Sequence, residues 1–244
     1  MLKHASFLLI LVAAFWATAS QGKSDIITAE APDVGSFQRV EVAGHADLVL
    51  IQGDREAVVV EAPAKTQARV RVRSNNGRLS IDVGDNASFM GWMTGGAAEP
   101  TVIVYFRTLE SLKTSGSIKV TAATIVAPSL DVNASGAATI HVDALKVDAL
   151  RFSGAGAVKG EFAGSATEQT IRISGAGSYR GARLASDTAK VSVSGAGKVS
   201  VNAKRELDAS ISGAGAIEYF GDPVLRQRVS GAGKITRRPA LTSS

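Results

Sequence analysis

Apolar and polar residues alternate along most of the chain from about residue 34 onward. Segments such as Leu150-Arg151-Phe152 and Ile171-Arg172-Ile173 place an apolar side chain at every second position, which is typical of strands that bury one face. Each segment runs into a Ser-Gly pair. Five copies read Ser-Gly-Ala-Gly and begin at Ser153, Ser174, Ser194, Ser212 and Ser230, while two looser copies begin at Ser115 and Ser135.

The regular spacing of these copies predicts the fold class. From one Ser to the next the distance is 18 to 21 residues, and a unit of that length cannot bury a face unless neighbouring units stack on it. Leucine-rich repeats have a similar period, but their Leu and Asn positions are missing. We therefore predict an all-β protein, a single-stranded parallel β-helix (β-solenoid) with coils of roughly 20 residues.

The small residues of the repeats are predicted to form the corners of the coils, because glycine adopts positive φ without steric cost. The predicted turn glycines are Gly116, Gly136, Gly154, Gly156, Gly175, Gly177, Gly195, Gly197, Gly213, Gly215, Gly231 and Gly233. We expect the serines that precede them to stack in one column. Their hydroxyls are expected to hydrogen-bond along the rod and to satisfy the amides of the corners.

Residues 34–112 are predicted to form the N-terminal β part of the solenoid, and residues 113–236 the repeat solenoid. In the first part, Asn76-Gly77 between two alternating runs predicts a hairpin. The segment 84–100 carries Phe89 and Trp92 among glycines and is a candidate binding loop. The alternative is that this segment folds over the end of the rod as a cap. We favour the cap, because solenoids need caps to cover their terminal strands.

The two ends of the chain indicate the compartment. Lys3 and His4 precede an apolar run of 11 residues and a small-x-small site, which is typical of a signal peptide over residues 1–19. Residues 20–33 are predicted to be a flexible leader and residues 237–244 a flexible tail. Cysteine is absent. We expect an exported protein, periplasmic or extracellular, with no stable membrane insertion after signal cleavage.

Charge suggests a class of partner. Residues 20–110 carry 9 basic and 12 acidic side chains, whereas residues 111–244 carry 17 and 10. Basic residues beside the corners should align from coil to coil and could bind an anionic polysaccharide or another envelope component. The candidate ligand-binding residues are Lys119, Arg151, Lys159, Arg172 and Arg180, together with Phe89 and Trp92. The alternative is that these charges only keep the rod soluble.

Other functions find less support. Aromatic residues do not interleave with the basic ones, so we expect no nucleic-acid partner. The glycine-rich corners lack the spacing of nucleotide-binding loops, and we expect no cofactor and no metal site. The enzyme alternative is a polysaccharide lyase or hydrolase, but the acidic residues do not recur at one place in the repeats, as a paired-carboxylate site would favour. We therefore expect a non-enzymatic module; homo-oligomers through an exposed end coil stay open.

The order of motifs resembles the putative auto-transporter adhesin family with a head GIN domain. The residues that carry the resemblance are Phe37-x-x-Val40-x-Val42-x-Gly44, Asp47-Leu48-x-Leu50-x-Gln52-Gly53, Asn76-Gly77-x-Leu79-x-Ile81, Leu109-x-x-Leu112-x-x-Ser115-Gly116-Ser117 and the Ser-Gly-Ala-Gly copies. The resemblance implies a right-handed β-solenoid on exported bacterial proteins, with no established enzyme chemistry. It also suggests adhesion.

Overall fold

Nearly all described residues of the protein lie in β-strands. The computed structural model describes residues 26–30, 34–84 and 99–239. The strands are β1 (Ile26–Glu30), β2 (Arg39–Gln52), β3 (Ala57–Pro63), β4 (Val70–Asn75), β5 (Arg78–Val83), β6 (Thr101–Phe106), β7 (Ser111–Gly136), β8 (Thr139–Gly156), β9 (Lys159–Gly175), β10 (Ser178–Gly195), β11 (Lys198–Gly213), β12 (Ala216–Phe220), β13 (Val224–Ser230) and β14 (Lys234–Arg237). One helical turn, α1 (Ala64–Gln67), follows β3.

The repeat region forms a solenoid of stacked parallel coils. β7 runs around more than one coil and β8 to β11 each run around most of one. Each pairs in parallel with the coil before and the coil after. β12 and β13 continue the stack on β11, and β14 pairs with β12. The result is a β-solenoid of about 6 turns. The prediction of an all-β solenoid with coils near 20 residues is confirmed.

The register of the stack corrects the repeat alignment read from the sequence. Ala155 stacks between Ser135 and Ser174, and Gly156 stacks between Gly136 and Gly175. Ser153, which begins the first Ser-Gly-Ala-Gly copy, instead lies beside Asn133 and Arg172. This copy is therefore displaced by two residues from the others, and the column holds Ser115, Ser135, Ala155, Ser174, Ser194, Ser212 and Ser230.

One glycine column makes the sharp corner of every coil. Gly175 has φ of 111°, and a Cβ there would lie 2.9 Å from the carbonyl oxygen of Gly156 in the coil before. The amide of Ala176 donates to that same oxygen at 3.1 Å. The predicted column forms, with serine at six of its seven positions. Its predicted hydrogen-bonding role is wrong, because backbone carbonyls satisfy the corner amides. Within the described residues, Ser135 alone of the column donates its hydroxyl to a carbonyl, that of Thr114 at 3.2 Å.

The second glycine of each Ser-Gly-Ala-Gly copy does something different from the first. Gly177, Gly197, Gly215 and Gly233 lie in the predicted turns between strands, but they do not have positive φ, so the backbone conformation of the turn does not require glycine at these positions. A Cβ on Gly215 would lie 2.6 Å from Cγ1 of Val193, and one on Gly233 would lie 2.4 Å from Cγ2 of Ile211. These glycines face the interior, where they leave room for aliphatic side chains.

The same interior space is filled the other way round in the earlier coils. There the position of the second glycine holds Ile118, Ala138 or Val158, and the aliphatic position holds Thr114, Ala134 or Gly154. Gly154 therefore lies inside strand β8 and not in a turn, and its predicted turn role is wrong. Large and small residues exchange places between two facing columns, which keeps the interior of a narrow rod close-packed.

Three aromatic rings fill the middle of the rod. The ring centroids of Phe152, Phe162 and Tyr179 are 5.3 to 5.6 Å apart. The hydroxyl of Tyr179 donates to Oε1 of Gln169 at 2.8 Å, and Nε2 of Gln169 donates to the carbonyl of Leu184 at 3.2 Å. Because Tyr179 is fully buried, its pKa is raised far above the usual value. This polar pair is satisfied inside the core.

The N-terminal coils do not stack in chain order. β2 pairs in parallel with β7 on one side and with β5 and β6 on the other. The coil that contains β5 and β6 comes later in the chain than β2, yet it lies on the side of β2 that faces away from the repeats. The side chain of Gln52 connects the ends of β2 and β6 to β7, at a place that we call the crossing point. Its Nε2 donates to the carbonyls of Arg107 at 2.9 Å and Val126 at 2.8 Å, and its Oε1 accepts from the amide of Val126 at 2.8 Å.

Antiparallel strands cover this N-terminal end of the solenoid. β4 pairs with β5 through the predicted Asn76-Gly77 turn, in which both residues have positive φ, the requirement of a type I′ hairpin. β3 pairs with β6, and β1 pairs with β3. Residues 26–30 of the predicted flexible leader are thus the edge strand β1, because the free edge of β3 offers it hydrogen-bond partners.

The C-terminal coil continues to the predicted tail. Arg237 is the last residue of β14, and the amide of Arg238 donates to the carbonyl of Tyr219 at 2.8 Å. The predicted signal peptide, residues 31–33 of the predicted leader, loop residues 85–98 with Phe89 and Trp92, and residues 240–244 of the tail lie outside the described residues. Among those described, no helix is long and apolar enough to span a bilayer.

Candidate functional site

An open groove lies on the face that carries the serine column. It has a volume of about 900 Å³. Two neighbouring columns of outward residues line it, one running from Glu41 and Lys113 to Ser192 and the other from Ala43 and Ser115 to Ser194. The hairpin β4–β5 bounds one end with Arg71 and Arg73. We call this feature the serine groove.

The serine groove crosses strands in the direction of the solenoid axis. Its lining residues come from seven neighbouring strands, β4, β5, β2, β7, β8, β9 and β10. Because β7 crosses the groove twice, at Lys113 and again at Asn133, seven spacings of about 4.8 Å give a groove roughly 34 Å long. Each coil from β7 to β10 offers it two outward residues, which carry hydroxyl or amide groups except for the basic Lys113 and Arg172 and for Ala155. The pairs are Lys113 with Ser115, Asn133 with Ser135, Ser153 with Ala155, Arg172 with Ser174, and Ser192 with Ser194.

The charge of the serine groove is positive. Five basic residues line it, Arg71, Arg73, Arg78, Lys113 and Arg172, against the two acidic residues Glu41 and Asp82. Glu41 is held by Lys113 at 3.1 Å and by Arg78 at 3.4 Å. In the described part of the chain, no carboxylate lies within 4 Å of Arg71, Arg73 or Arg172, so these cations stay available to a ligand.

A second charged feature lies on the other side of the glycine corner. One register column contains Lys119, Lys159, Lys198 and Lys234, with Thr139, Ser178 and Ala216 between them. Lysine thus occupies every second coil. Beside it runs a column of small residues, Ser117, Ala137, Ala157, Ala176, Ala196, Ala214 and Ala232. We call the two columns together the lysine track.

The structure divides the candidate binding residues predicted from the sequence between several columns. Arg172 lines the serine groove, and Lys119 and Lys159 belong to the lysine track. Arg180 does not align with them as predicted, because it stacks beside Glu161 two positions farther along the strand. Arg151 stacks on Asp131 and Thr170 and not on Arg172. The two-residue displacement of the repeat at Ser153 explains the second error.

A small polar cluster lies beside the lysine track. Nε2 of His141 is 2.7 Å from Oδ1 of Asp143, and its Nδ1 is 3.8 Å from Oε2 of Glu161. Glu161 also contacts Arg183 at 2.8 Å and Arg180 at 3.7 Å. All these side chains are partly exposed, and the arginines make Glu161 a neutralised surface acid. In the part of the chain that the structure describes, no acidic or histidine group is arranged to hold a metal ion.

Sequence reasoning missed most of the serine groove and half of the lysine track. Lys198 and Lys234 follow the corner at the same offset as Lys159, so counting from the corner glycine would have found them. Arg71, Arg73 and Arg78 gave no such signal, because only the out-of-order stacking of β5 on β2 brings them to the groove.

The family assignment rests on residues 36–223, which match the model of the family described as "Putative auto-transporter adhesin, head GIN domain". The chain belongs to this family. The predicted resemblance is therefore confirmed, and the match extends from just before β2 to the residues that follow β12. Its family makes the protein an adhesin-like module. No curated protein is significantly similar to the chain.

Solved structures with the same fold include two bacterial proteins described as putative adhesins. The one from Bacteroides fragilis is 18% identical, with a TM-score of 0.82 over 88% of this chain and 98% of its own. The one from Parabacteroides merdae is 20% identical, with a TM-score of 0.67 over 89% and 98%. A putative lipid binding protein from Parabacteroides distasonis is 20% identical, with a TM-score of 0.71 over 89% and 98%. At these identities the likeness to the head GIN domain shows the fold.

Proposed function

We propose that the protein is an exported, non-enzymatic adhesin-like module of the cell envelope that binds a linear anionic polysaccharide in the serine groove. The observation that carries the proposal is the groove itself, which runs unbroken along the axis with basic side chains in excess. The predicted signal peptide and the adhesin family of the chain support export and adhesion.

The repeat of the solenoid suits a polymeric ligand. Successive coils present equivalent pairs of outward residues at intervals of about 4.8 Å, and an extended glycan advances by a similar length with each sugar ring. One sugar can therefore meet the hydroxyls of one coil. Hydroxyl and amide side chains both donate and accept hydrogen bonds, which is what sugar hydroxyls require of a partner.

The positions of the basic residues favour an acidic glycan over a neutral one. Arg71, Arg73 and Lys113 gather near the hairpin end, and Arg172 lies farther along the groove. Arginine binds carboxylate or sulfate groups through two parallel hydrogen bonds. The carboxylates of the groove do not favour catalysis, since Glu41 is occupied by two cations.

A substitution that closes the groove tests the site. Ala155 is exposed in the middle of the groove, so Ala155→Tyr should obstruct a polymer without disturbing the core. Arg73→Gln combined with Arg172→Gln should weaken binding at least tenfold, about 1.4 kcal/mol. Ala144→Tyr is the matched control, because Ala144 is exposed on the same strand outside the groove.

The assay is a glycan array followed by isothermal titration of the purified protein with the acidic oligosaccharides that bind. Ala155→Tyr binding as tightly as the wild type would remove the groove as the site. Release of unsaturated or reducing ends from the bound polysaccharide would show a lyase or hydrolase, which is the alternative function. Cell fractionation with an antibody to the protein tests export separately.

A further inference from the structure

We infer that the lysine track is a second polysaccharide-binding surface, and that it recognises an acidic polysaccharide with one negative charge per disaccharide. The inference does not depend on the serine groove, because the track lies beyond the glycine corner and shares no lining residue with it.

The charges of the lysine track are evenly spaced. Lys119, Lys159, Lys198 and Lys234 lie in one column, two coils apart. Two strand spacings correspond to about 9.6 Å, so the four ammonium groups extend over roughly 29 Å. Coils of different length, from 18 to 20 residues between corner glycines, keep this alternation because bulges elsewhere absorb the difference.

The side chains between and beside the lysines are short. The residues between the lysines are the short Thr139, Ser178 and Ala216, and the adjacent column is alanine in six of its seven coils. These alanines are exposed. A polymer can therefore lie along the alanine column while each lysine side chain, a flexible point charge, reaches it from one side.

The acids near Lys159, Lys198 and Lys234 are already neutralised, whereas Asp47 extends the register column beyond Lys119. Glu161 is bound by Arg183 and Arg180, and Glu218 accepts from Arg238 at 2.6 Å. Lys198 is 3.5 Å from Glu218. For the other three lysines, the described residues include no carboxylate within 4 Å. The positive charge of the track is thus largely uncompensated.

The alternation of charge decides the class of polymer. An extended disaccharide is about as long as two coil spacings, roughly 10 Å. A glycan with a charge on every sugar would place half of its charges opposite Thr139, Ser178 and Ala216. Nucleic acid carries one phosphate per about 3.4 Å of each strand, and the described part of the track has no aromatic side chain for base stacking.

The test separates spacing from total charge. In the Ala155→Tyr background, which closes the serine groove, the protein is titrated with hyaluronan oligosaccharides (one carboxylate per disaccharide) and with oligogalacturonate (one per sugar). The key variant combines Thr139→Lys with Lys159→Thr, which moves one lysine by one coil and conserves the charge. Both positions are exposed. Its matched control combines Lys146→Thr with Ser165→Lys, an exposed register pair outside the track.

We expect the unpermuted protein to prefer hyaluronan over oligogalacturonate of equal charge, the permuted variant to lose at least fivefold in hyaluronan affinity, and the control to lose none. Equal affinity of the permuted variant, tighter binding of oligogalacturonate or single-stranded DNA, or no binding of hyaluronan at all would overturn the inference. If the permuted variant does not fold, Lys119→Gln with Lys198→Gln, again expected to lose at least fivefold, takes its place.

Discussion

The exchange of large and small residues inside the corner predicts that two defects will compensate each other. In Gly197→Ala the new methyl carbon would lie 2.7 Å from Cγ2 of Ile173 and 3.2 Å from the carbonyl oxygen of Gly177. Non-bonded carbon atoms prefer about 3.5 to 4.0 Å. The overlap of nearly 1 Å must move Ile173 or the backbone, and overpacking of this kind costs about 1 to 3 kcal/mol of unfolding free energy.

Shortening the opposing side chain should recover part of that cost. Ile173→Ala alone leaves a cavity and should destabilise the protein by about 2 to 5 kcal/mol. In the double variant the methyl group introduced by Gly197→Ala occupies some of that cavity. The sum of the two single losses of unfolding free energy should therefore exceed the loss in the double variant by about 1 to 2 kcal/mol. A double-mutant cycle measures this coupling.

The assay is urea denaturation followed by circular dichroism at the β-sheet band, with native-state hydrogen exchange to locate the affected coils. Gly53→Ala is the control, because nothing lies within 4 Å of a Cβ at Gly53 and its φ is not positive. A loss of unfolding free energy in Gly197→Ala no larger than in this control would contradict the predicted overpacking. Additive effects of the two substitutions at the corner would contradict it equally.

Three further predictions concern polar contacts. Gln52→Ala removes three hydrogen bonds at the crossing point and should lower the unfolding free energy by about 2 to 3 kcal/mol, whereas exposed Gln227→Ala should change it by less than about 0.5 kcal/mol. Tyr179→Phe leaves Oε1 of buried Gln169 without its donor and should cost about 1 to 3 kcal/mol in chemical denaturation; an effect no larger than that of Tyr105→Phe would contradict this. The hydrogen bond from Arg238 lowers the pKa of Glu218 below its usual value, so the stabilisation by the carboxylate is complete above about pH 4.5 and is lost as the pH falls through the lowered pKa. Glu218→Gln should therefore flatten the acid dependence of the denaturation midpoint, and an unchanged slope would rule out this contribution.

Features that depend on neighbours in the chain could be predicted from the sequence. The coil period follows from the regular return of the Ser-Gly pair, and the hairpin follows from Asn76-Gly77 between two alternating runs. In both cases a local conformational demand, positive φ, selects glycine or asparagine. The sequence therefore carries these signals within a few residues.

Features that depend on the strand register accumulated over several coils could not be predicted from the sequence. Gly154 and Gly175 each follow a serine, yet one fills the interior and the other makes the corner, because the coil that contains Ser153 places its corner glycine two residues later. Sequence identity alone does not separate these roles. The alignment of Arg180 with Lys159 failed for the same reason, because Lys159 lies three residues after its corner glycine Gly156 and Arg180 lies five residues after Gly175.

The serine groove was beyond prediction for a different reason. Its positive end is built from Arg71 and Arg73 on β4, which reaches this face only because β5 stacks outside β2. Nothing in the alternating pattern says that a later coil lies outside an earlier one. A rule that stacks coils in chain order, reasonable for the repeats, gives the wrong neighbour for β2.

That inverted order at the start of the chain also constrains how the molecule can assemble. β2 precedes every strand that flanks it, β5 and β6 on one side and β7 on the other, and the last residue that pairs with it, Ala122 of β7, lies halfway along the chain. Such distant pairings are slow to form. The first coil must therefore wait until half of the polypeptide is present, after which each later turn can add to the stack in chain order.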